Sequence, residues 1–462
     1  MVSRPIVRTT ASGLRIWESM VVSARNRRSS GSGVIGSRGK LPAMGVRVCR
    51  RKGSTGCGGT PYNRARGCSR GLVASRLWGS VRSARPNEGR WCGFSGGSPA
   101  GCSRGRPEPT GLELQTAGGC VKAAVFSEHG GPEVIRTEEV EAPEAGPGEV
   151  RIRVRASSLN HLDLWVRRGL PFEIPMPHIG GSDLAGEVES VGPGVHGVEL
   201  GTRVVVDPTL DWNWIEGVRR GAGLRDPEFR VIGEHTQGGF AEYAVVPADN
   251  LLALPDEVDC ATAAAAGLVG VTAWRALMSR GGLRAGERVL VTGASGGVST
   301  MAIQYAKVAG ATVFALTSGE SSVARVRELG ADVVIDRLEG DPAKLLRDAV
   351  GRRGVDLVVD SVGEALWGAV LRTLAPGGRL VCYGATTGPK VTTDLRHVFW
   401  KQLSILGTTM GSPSEFREAM GLVFSGRVRP VVDETIGLDD VRQGHERLEA
   451  GGVFGKIAVE VG

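Results

Sequence analysis

The sequence has 462 residues and a formal net charge of +7, but this charge is the sum of two unlike segments. Residues 1–120 contain 21 Lys and Arg against 4 Asp and Glu, whereas the other 342 residues contain 35 basic and 45 acidic residues. The longer segment suffices for two domains with their own cores, which excludes a disulfide-stapled mini-protein, and no uncharged apolar run of 18 residues predicts a membrane span.

Residues 1–120 are an Arg-, Gly- and Ser-rich leader without a sustained period of 2 or 3.6, and they contain no Asp or His. Such a segment cannot bury enough apolar surface to offset its ordering entropy, so we expect it to be disordered. We interpret it as a mis-assigned start, with translation beginning at Val121. The alternatives are a nucleic-acid-binding arm and an organellar transit peptide. Export by the twin-arginine route is disfavoured, because no apolar segment follows Arg27 and Arg28.

From Val121 to about residue 250, short apolar segments alternate with breaks at Gly and Pro. These segments are VKAAVF, EVRIRVRAS, LAGEVESVG, TRVVVDP and AEYAVVP. Their spacing predicts an antiparallel β-rich domain, which we assign to residues 121–255. Cys260 and Cys382 are the only cysteines after residue 120. Two distant cysteines indicate reduced thiols, and therefore a cytoplasmic protein.

The following segment, residues 256–425, alternates apolar strands with helical segments. Continuous apolar strands separated by helices predict a parallel sheet that is covered on both faces. Residues 426–462 return to a strand, helix, strand order and are expected to rejoin the β-rich domain. The fold class is therefore α/β, with a doubly wound parallel sheet and a second, β-rich domain.

The first predicted strand of this sheet, Arg288–Thr292, continues directly into the glycine-rich turn Gly293–Ser299 and then into a helix. A turn of this kind presents backbone N–H groups and the positive end of a helix dipole to a pyrophosphate. Glycine in a tight turn also has a purely steric explanation. The position of the turn after the first strand of the alternating pattern favours a dinucleotide site.

Several motifs together resemble the medium-chain dehydrogenase/reductase superfamily, and its zinc-independent, quinone-oxidoreductase-like branch more than the zinc alcohol dehydrogenases. These motifs are SLNHLD at 158–163, GSDLAGEV at 181–188, GVTAW at 270–274, the turn at 293–299 and FGKI at 454–457. The resemblance covers residues 121–462. It implies a GroES-like catalytic domain around a Rossmann domain, an active site in the cleft between them, and a homodimer joined at LSILGTTM. Ser299 departs from the glycine that usually ends the family's turn.

The resemblance also implies a set of cofactor contacts. An acidic residue after the second strand would accept hydrogen bonds from the ribose of NAD, but Thr317 and Ser318 stand there, with Arg325 one turn later. This favours NADPH, with NADH possible. The implied contacts are Thr272, Ala294, Ser295, Gly296, Gly297, Val298, Thr317, Ser318, Arg325, Gly363, Gly384, Ala385 and Lys456.

No metal site is expected. The positions that hold catalytic zinc in zinc-dependent relatives correspond to Asn160, Ser182, Asp183 and Leu268, and one carboxylate among four positions is a poor ligand set. The lobe that would hold structural zinc, residues 207–239, contains no cysteine. Its apolar residues Trp212, Trp214 and Ile215 are interpreted as packing residues.

A cleft without a Lewis acid must polarise a carbonyl group through hydrogen bonds. The candidate catalytic residues are Asn160 and His161, with Asp163 and Asp183 in positioning roles. Asn160 is alternatively a loop cap and His161 a structural histidine, and His178 is interpreted as structural.

These residues predict a zinc-independent, NADPH-dependent reductase that acts on a small molecule, a quinone or an activated alkene or carbonyl, without a nucleic-acid or membrane partner. Two alternatives remain open. One is an alcohol or aldehyde dehydrogenase that recruits a metal through Asp183, His161 and water. The other is a nucleotide-binding protein whose basic arm binds nucleic acid.

Overall fold

The computed structural model describes residues 119–212 and 229–462. The expectations for residues 1–118, and those for Trp214 and Ile215, lie outside the described residues. The first described strand begins at Cys120, one residue before the expected start of the β-rich domain.

The first part of the described chain consists mainly of short strands. It contains β1 (Cys120–Phe126), β2 (Arg136–Glu141), β3 (Glu149–Ser158), α1 (His161–Arg168), β4 (His178–Ile179), β5 (Asp183–Val191), β6 (Arg203–Val206), β7 (Thr209–Leu210), β8 (Arg230–Val231), β9 (Tyr243–Pro247) and β10 (Leu251–Ala253). Apolar and polar residues alternate along β3, whose Val150, Ile152 and Val154 are buried. This alternation places one face of the strand in the core.

Strands and helices then alternate. The elements are α2 (Cys260–Arg275), β11 (Arg288–Val291), α3 (Gly297–Val308), β12 (Thr312–Thr317), α4 (Glu320–Glu328), β13 (Val333–Asp336), α5 (Pro342–Val350), β14 (Val355–Asp360), α6 (Trp367–Thr373), β15 (Leu374–Cys382), α7 (Leu395–Lys401), β16 (Ser404–Gly407), α8 (Pro413–Phe424), β17 (Val432–Gly437), α9 (Val441–Ala450) and β18 (Lys456–Glu460).

Two large sheets organise these elements. The six-stranded sheet has the order β13-β12-β11-β14-β15-β16, and all of its pairs are parallel. The seven-stranded sheet has the order β10-β6-β5-β3-β18-β17, with β9 also paired to β3. The predicted α/β class, with a doubly wound parallel sheet and a β-rich domain, is confirmed. Strand β18 lies beside β3, so the end of the chain completes the β-rich sheet.

Helix α2 packs against β3 and β5 of the β-rich sheet and against α3 and α8 beside the parallel sheet. Its residues Ala263 to Ala266 are almost completely buried, and their small side chains allow close packing. With the turn of π-helix that follows it, the helical segment Cys260–Arg280 is long and apolar enough to cross a membrane, but 72% of its most apolar 18-residue window is buried inside the protein. This segment is therefore a core helix that joins the two sheets.

Candidate active site

The glycine-rich turn lies at the carboxyl end of β11, between the ends of β12 and β14. Gly293 adopts a φ of +53°, which favours glycine, and the Ala294 N–H donates to the Leu316 carbonyl at 2.9 Å. Gly296 caps α3, a helix of 12 residues, so Gly297 and Val298 stand in its first turn. The backbone N–H groups in the first turn of α3 have no acceptor within the helix and are available to an anion.

The segment before β18 lies directly against this turn. The Gly455 N–H donates to the Ser295 carbonyl at 2.7 Å, and Gly455 forms a bridge with Gly296. A Cβ atom on Gly297 would lie 2.8 Å from Cδ of Lys456. Glycine at this position therefore allows the two segments to approach each other.

Ser299 occupies the position where relatives of the resembled family carry glycine. Its side chain is buried, and its hydroxyl donates to the Thr292 carbonyl at 2.9 Å. The Ser299 hydroxyl oxygen is also hydrogen-bonded to the Tyr383 hydroxyl at 2.8 Å. The serine therefore ties α3 to the end of β11, and the helix remains close to the strand without a glycine at this position.

Asp360, at the end of β14, fixes the next loop of the same sheet edge. Its carboxylate accepts from the Thr292 hydroxyl at 2.6 Å and from the Gly363 N–H at 3.0 Å. Burial raises the pKa of this carboxyl group, and these hydrogen bonds oppose the rise. Gly384 and Ala385 follow β15 at the same edge, which places all of the predicted loop contacts at the carboxyl ends of neighbouring strands.

Two of the predicted cofactor contacts carry buried hydroxyl groups without partners. Thr272 on α2 is 6% exposed and Thr317 at the end of β12 is 3% exposed. Neither hydroxyl has a hydrogen-bond partner among the described residues. A buried hydroxyl without a partner is costly unless a ligand or water satisfies it.

The residues beyond β12 are arranged differently from what the sequence predicts. The guanidinium group of Arg325 pairs with the Asp433 carboxylate at 2.7 Å and lies 4.0 Å above the Phe454 ring. The Ser318 hydroxyl instead accepts a hydrogen bond from Nε of Arg337 at 2.5 Å. Sequence reasoning missed Arg337, since it follows β13 and is separated from Ser318 by a whole helix.

A buried polar cluster lies where β5, α2 and β18 meet. Its centre is Asp183, which accepts from the Ser158 hydroxyl at 2.7 Å, the Asn160 amide at 2.8 Å, the Leu268 N–H at 2.6 Å and the Lys456 ammonium at 3.2 Å. We call Ser158, Asn160, Asp183 and Lys456 the polar cluster. All four side chains are buried.

Lys456 and Asn160 are fully engaged within this cluster. The ammonium group donates to the Leu159 carbonyl at 2.6 Å and to Oδ1 of Asn160 at 2.5 Å. Burial lowers the pKa of Lys456, and the Asp183 carboxylate opposes this effect. The Asn160 amide therefore faces a cation and an anion of the protein itself, a network that sequence reasoning did not foresee.

Asp163 holds the start of α1 against the turn that precedes β5. Its carboxylate accepts from the Asn160 N–H at 2.6 Å and from the Gly181 N–H at 3.1 Å. Burial raises its pKa to about 6, although these hydrogen bonds oppose the rise. Asp163 therefore joins two backbone segments, which is a positioning geometry.

His161 begins α1 and is solvent-accessible, although the surrounding protein partly desolvates its ring. This partial desolvation lowers its pKa, and the positive charges of Lys456 and Arg168 lower it further. The Ser182 hydroxyl, next to Asp183 in the sequence, is fully buried and has no hydrogen-bond partner among the described residues. His178, in contrast, is fully buried, and its Nε2 lies 3.1 Å from the Gly233 carbonyl oxygen, which fits a structural role.

A further carboxyl group, Glu234, lies close to Asp163. Burial raises its pKa to about 7, and the negative charge of Asp163 contributes to the rise. Its Oε2 lies 3.4 Å from Nδ1 of His235, whose ring stacks on Phe172. No sequence motif identified Glu234, because its altered pKa results from burial.

The described residues contain no group of three or more His, Cys, Asp or Glu side chains arranged to hold a metal ion. Leu268, at one of the four zinc positions, contributes only its backbone N–H, which binds Asp183. Trp212 is buried in the core with the Arg275 guanidinium 4.5 Å from its ring centre. The absence of zinc remains a prediction.

Comparison with known proteins gives two family matches. Residues 146–256 match the model of the alcohol dehydrogenase GroES-like domain, and residues 297–425 match that of the zinc-binding dehydrogenase. A quinone oxidoreductase from Lama guanicoe is 31% identical over 348 residues, which cover 73% of this chain and 97% of the relative.

Solved structures extend the comparison. A structure described as an NAD-dependent alcohol dehydrogenase is 40% identical, with a TM-score of 0.70, and the match covers 74% of this chain and all of that one. The 2-octenoyl-CoA carboxylase reductase CinF, in complex with NADP and 2-octenoyl-CoA, is 29% identical with a TM-score of 0.69. That match covers 76% of this chain and 89% of CinF.

Proposed function

Because the chain belongs to the medium-chain dehydrogenase/reductase superfamily of oxidoreductases, we propose that it is a zinc-independent, NADPH-dependent reductase of quinones or of activated alkenes and carbonyls. The observation that carries this proposal is the polar cluster. Asn160 and Asp183 stand at two of the four positions of a zinc ligand set, and the Lys456 ammonium is hydrogen-bonded to both of them. A cation there takes up the lone pairs that a metal would need.

The chain's own residues supply a cradle for the dinucleotide. The first turn of α3 would direct N–H groups at the pyrophosphate, and the hydroxyls of Thr272 and Thr317 would gain partners from the bound molecule. NADPH, when bound, supplies the hydride. The NADP complex of CinF supports this cofactor, whereas the NAD-dependent alcohol dehydrogenase supports NADH.

Reduction of an activated alkene places negative charge on the carbonyl oxygen as hydride reaches the β-carbon, and solvent supplies the proton. His161 is accessible, and desolvation lowers its pKa, which favours the neutral form of its ring. We propose that its ring donates a hydrogen bond to this oxygen. The side-chain amide of Asn160 already binds Asp183 and Lys456. We therefore propose that Asn160 is a positioning residue that fixes the segment carrying His161.

The test is a substrate screen monitored by NADPH absorbance, with quinones, enones, enoyl thioesters and aldehydes offered to the purified protein. We expect turnover of a quinone or an enone that persists after exhaustive chelation. Asn160→Ala should slow turnover more than it weakens NADPH binding, because it disturbs the orientation of the site. Arg442→Ala, at an exposed position on α9, is the matched control. Turnover confined to alcohols or aldehydes and dependent on zinc would refute the proposal.

The second candidate is an alcohol or aldehyde dehydrogenase, which the 40% identity to the NAD-dependent alcohol dehydrogenase favours. In this case, Asp183 and His161 would have to hold a metal together with water. Asp183 already accepts four hydrogen bonds, so metal binding would require the Lys456 ammonium to move away. Stoichiometric zinc in the purified protein distinguishes the two candidates.

We also propose that the protein is a homodimer joined at the edge of the parallel sheet. Strand β16 is the last strand on its side, and neighbouring apolar residues are exposed: Phe399 by 64%, Trp400 by 83% and Ile405 by 41%. An apolar surface next to an open strand edge favours pairing with a second copy. Trp400→Asp should shift sedimentation towards the monomer, whereas Leu200→Asp, at an exposed site in the β-rich domain, should not. An unchanged mass for Trp400→Asp would refute this interface.

A cytoplasmic location is part of the same proposal. Cys260 and Cys382 are both free in the structure, as expected for a reducing compartment. Cell fractionation with an antibody against the protein tests this point, and recovery with a membrane or secreted fraction would contradict it.

A further inference from the structure

The proposed preference for NADPH requires a cation near the 2′-phosphate, and the sequence offers Arg325 for this role. The structure places that side chain elsewhere. Its Nη1 pairs with Asp433, and its guanidinium plane covers Phe454 at 4.0 Å. An arginine held by a carboxylate and an aromatic ring has its charge compensated, and would have to leave both partners to reach a phosphate.

A different arginine lies at the end of β12. Arg337 follows β13, the neighbour of β12 in the parallel sheet, and its Nε donates to the Ser318 hydroxyl. The side chain is exposed. Among the described residues, Nε is the only part of its guanidinium group with a protein acceptor, so both Nη groups remain available to a ligand. The planar fork of an arginine matches the oxygens of a phosphate.

Thr317 provides a second, independent observation at the same place. Its hydroxyl is buried and has no partner among the described residues, although the side chain stands directly before Ser318. The Ser318 hydroxyl and the arginine fork therefore meet at the end of β12, directly after Thr317, which is where the adenosine ribose lies in a doubly wound dinucleotide site.

The adjacent acid, Asp336, is close enough to interact electrostatically with Arg337, but the two side chains form no hydrogen bond with each other. Both oxygens of the Asp336 carboxylate accept from the Gly319 N–H, each at 3.0 Å. One of them also accepts from the Leu338 N–H at 2.9 Å. These hydrogen bonds lower the pKa of Asp336, so the group is ionised and serves to hold the two loops together. Because the Gly319 N–H is already used, a phosphate here depends on side-chain donors.

We propose that Arg337, supported by Ser318 and Thr317, recognises the 2′-phosphate of NADPH, and that Arg325 has a structural role. This inference rests on the proposed use of NADPH. It predicts that the selectivity for the phosphorylated cofactor resides in a residue after the third strand of the sheet, and that the acidic residue beside it, Asp336, does not bind the ribose.

The experiment measures dissociation constants by calorimetry for NADPH, NADH, 2′,5′-ADP and 5′-AMP, with the full chain and three variants. Arg337→Gln should weaken NADPH and 2′,5′-ADP about tenfold or more, since it removes charged hydrogen bonds, and should leave NADH and 5′-AMP nearly unchanged. Arg337→Lys should recover part of the loss. Arg325→Gln is the matched control and should retain the preference for 2′-phosphates.

The outcomes separate the inference from the proposal on which it rests. If the unmodified protein prefers NADPH and Arg337→Gln keeps that preference, the assignment of Arg337 is wrong while the use of NADPH stands. The assignment is also wrong if Arg325→Gln loses the preference for 2′-phosphorylated ligands and Arg337→Gln does not. If the unmodified protein binds NADH and 5′-AMP as well as their 2′-phosphorylated counterparts, the proposed cofactor preference fails, and the role of Arg337 fails with it.

Discussion

Removing the charge of Lys456 should destabilise the protein strongly. In the variant Lys456→Met, the carboxylate of Asp183 stays fully buried but loses its counter-charge. Breaking a buried ion pair from one side typically costs about 3–5 kcal/mol. Three donors to Asp183 remain, from Ser158, Asn160 and Leu268, so we expect a loss near the lower end, about 3 kcal/mol.

The reciprocal variant, Asp183→Asn, leaves the Lys456 ammonium buried and replaces one acceptor oxygen by an N–H₂ group that faces other donors. It should cost a similar amount. The double variant removes both charges, so its loss should be smaller than the sum of the two single losses by about 2 kcal/mol, as expected for directly interacting buried groups.

The assay is urea denaturation of all four proteins at neutral pH, monitored by circular dichroism. The matched control is the exposed pair of Arg442 and Glu446, one helical turn apart on α9 and each about half exposed. The double-mutant cycle of this surface pair should give a coupling energy of about 0.3–0.5 kcal/mol. If the coupling between Lys456 and Asp183 is no greater than that of this surface pair, the polar cluster does not hold the site together in the way described.

Three further predictions concern the metal, acid stability and the serine of the glycine-rich turn. Purified protein should contain far less than one zinc per chain by elemental analysis and keep its activity after chelation; stoichiometric zinc would refute this. His445 lies 3.2 Å from the Arg167 guanidinium, and burial together with that charge lowers its pKa from 6.5 to about 3. The unfolded chain therefore takes up this proton first, and stability is lost as the pH falls below 6.5. In urea titrations, the free energy of unfolding of the unmodified protein, measured relative to that of His445→Gln, should fall by about 3 kcal/mol between about pH 7.5 and pH 4.5. A difference between the two proteins that stays constant with pH would contradict the burial of a neutral imidazole. Ser299→Gly should lower stability by about 1–2 kcal/mol through the lost hydrogen bond and the flexibility of glycine, and Tyr383→Phe should lower it less; a stabilised glycine variant would contradict the role of the serine.

The parallel sheet and its glycine-rich turn were accessible from the sequence because local patterns specify them. Apolar strands such as β11 are continuous, and the turn after it combines small residues with the start of a helix. Ser299 was recognised as a departure, but its consequence depends on Tyr383, which is 84 residues away in the chain. The partner that makes the serine acceptable is visible only in three dimensions.

The roles of individual site residues were harder to predict, since they depend on which partners reach them. Arg325 has the appropriate charge and spacing, but the structure pairs it with Asp433 and places it over the Phe454 ring. Lys456 was expected at the cofactor because the family resemblance implies this contact. The structure places its ammonium group in the polar cluster, where the partners are 273 to 297 residues distant. Periodicity carries no information about such contacts.

The position of β18 has a consequence for the order in which the enzyme can be built. Strand β3 emerges from the ribosome early, but one of its neighbours in the sheet, β18, is synthesised about 300 residues later. The parallel sheet lies entirely between them and contains mainly sequential connections, so it can form while the β-rich sheet still has an open edge. A nascent chain would thus acquire its nucleotide-binding turn before Lys456 arrives to complete the polar cluster. Assembly of the polar cluster would depend on β18, and a chain interrupted before this strand would carry the parallel sheet and its glycine-rich turn without the Lys456 ammonium group.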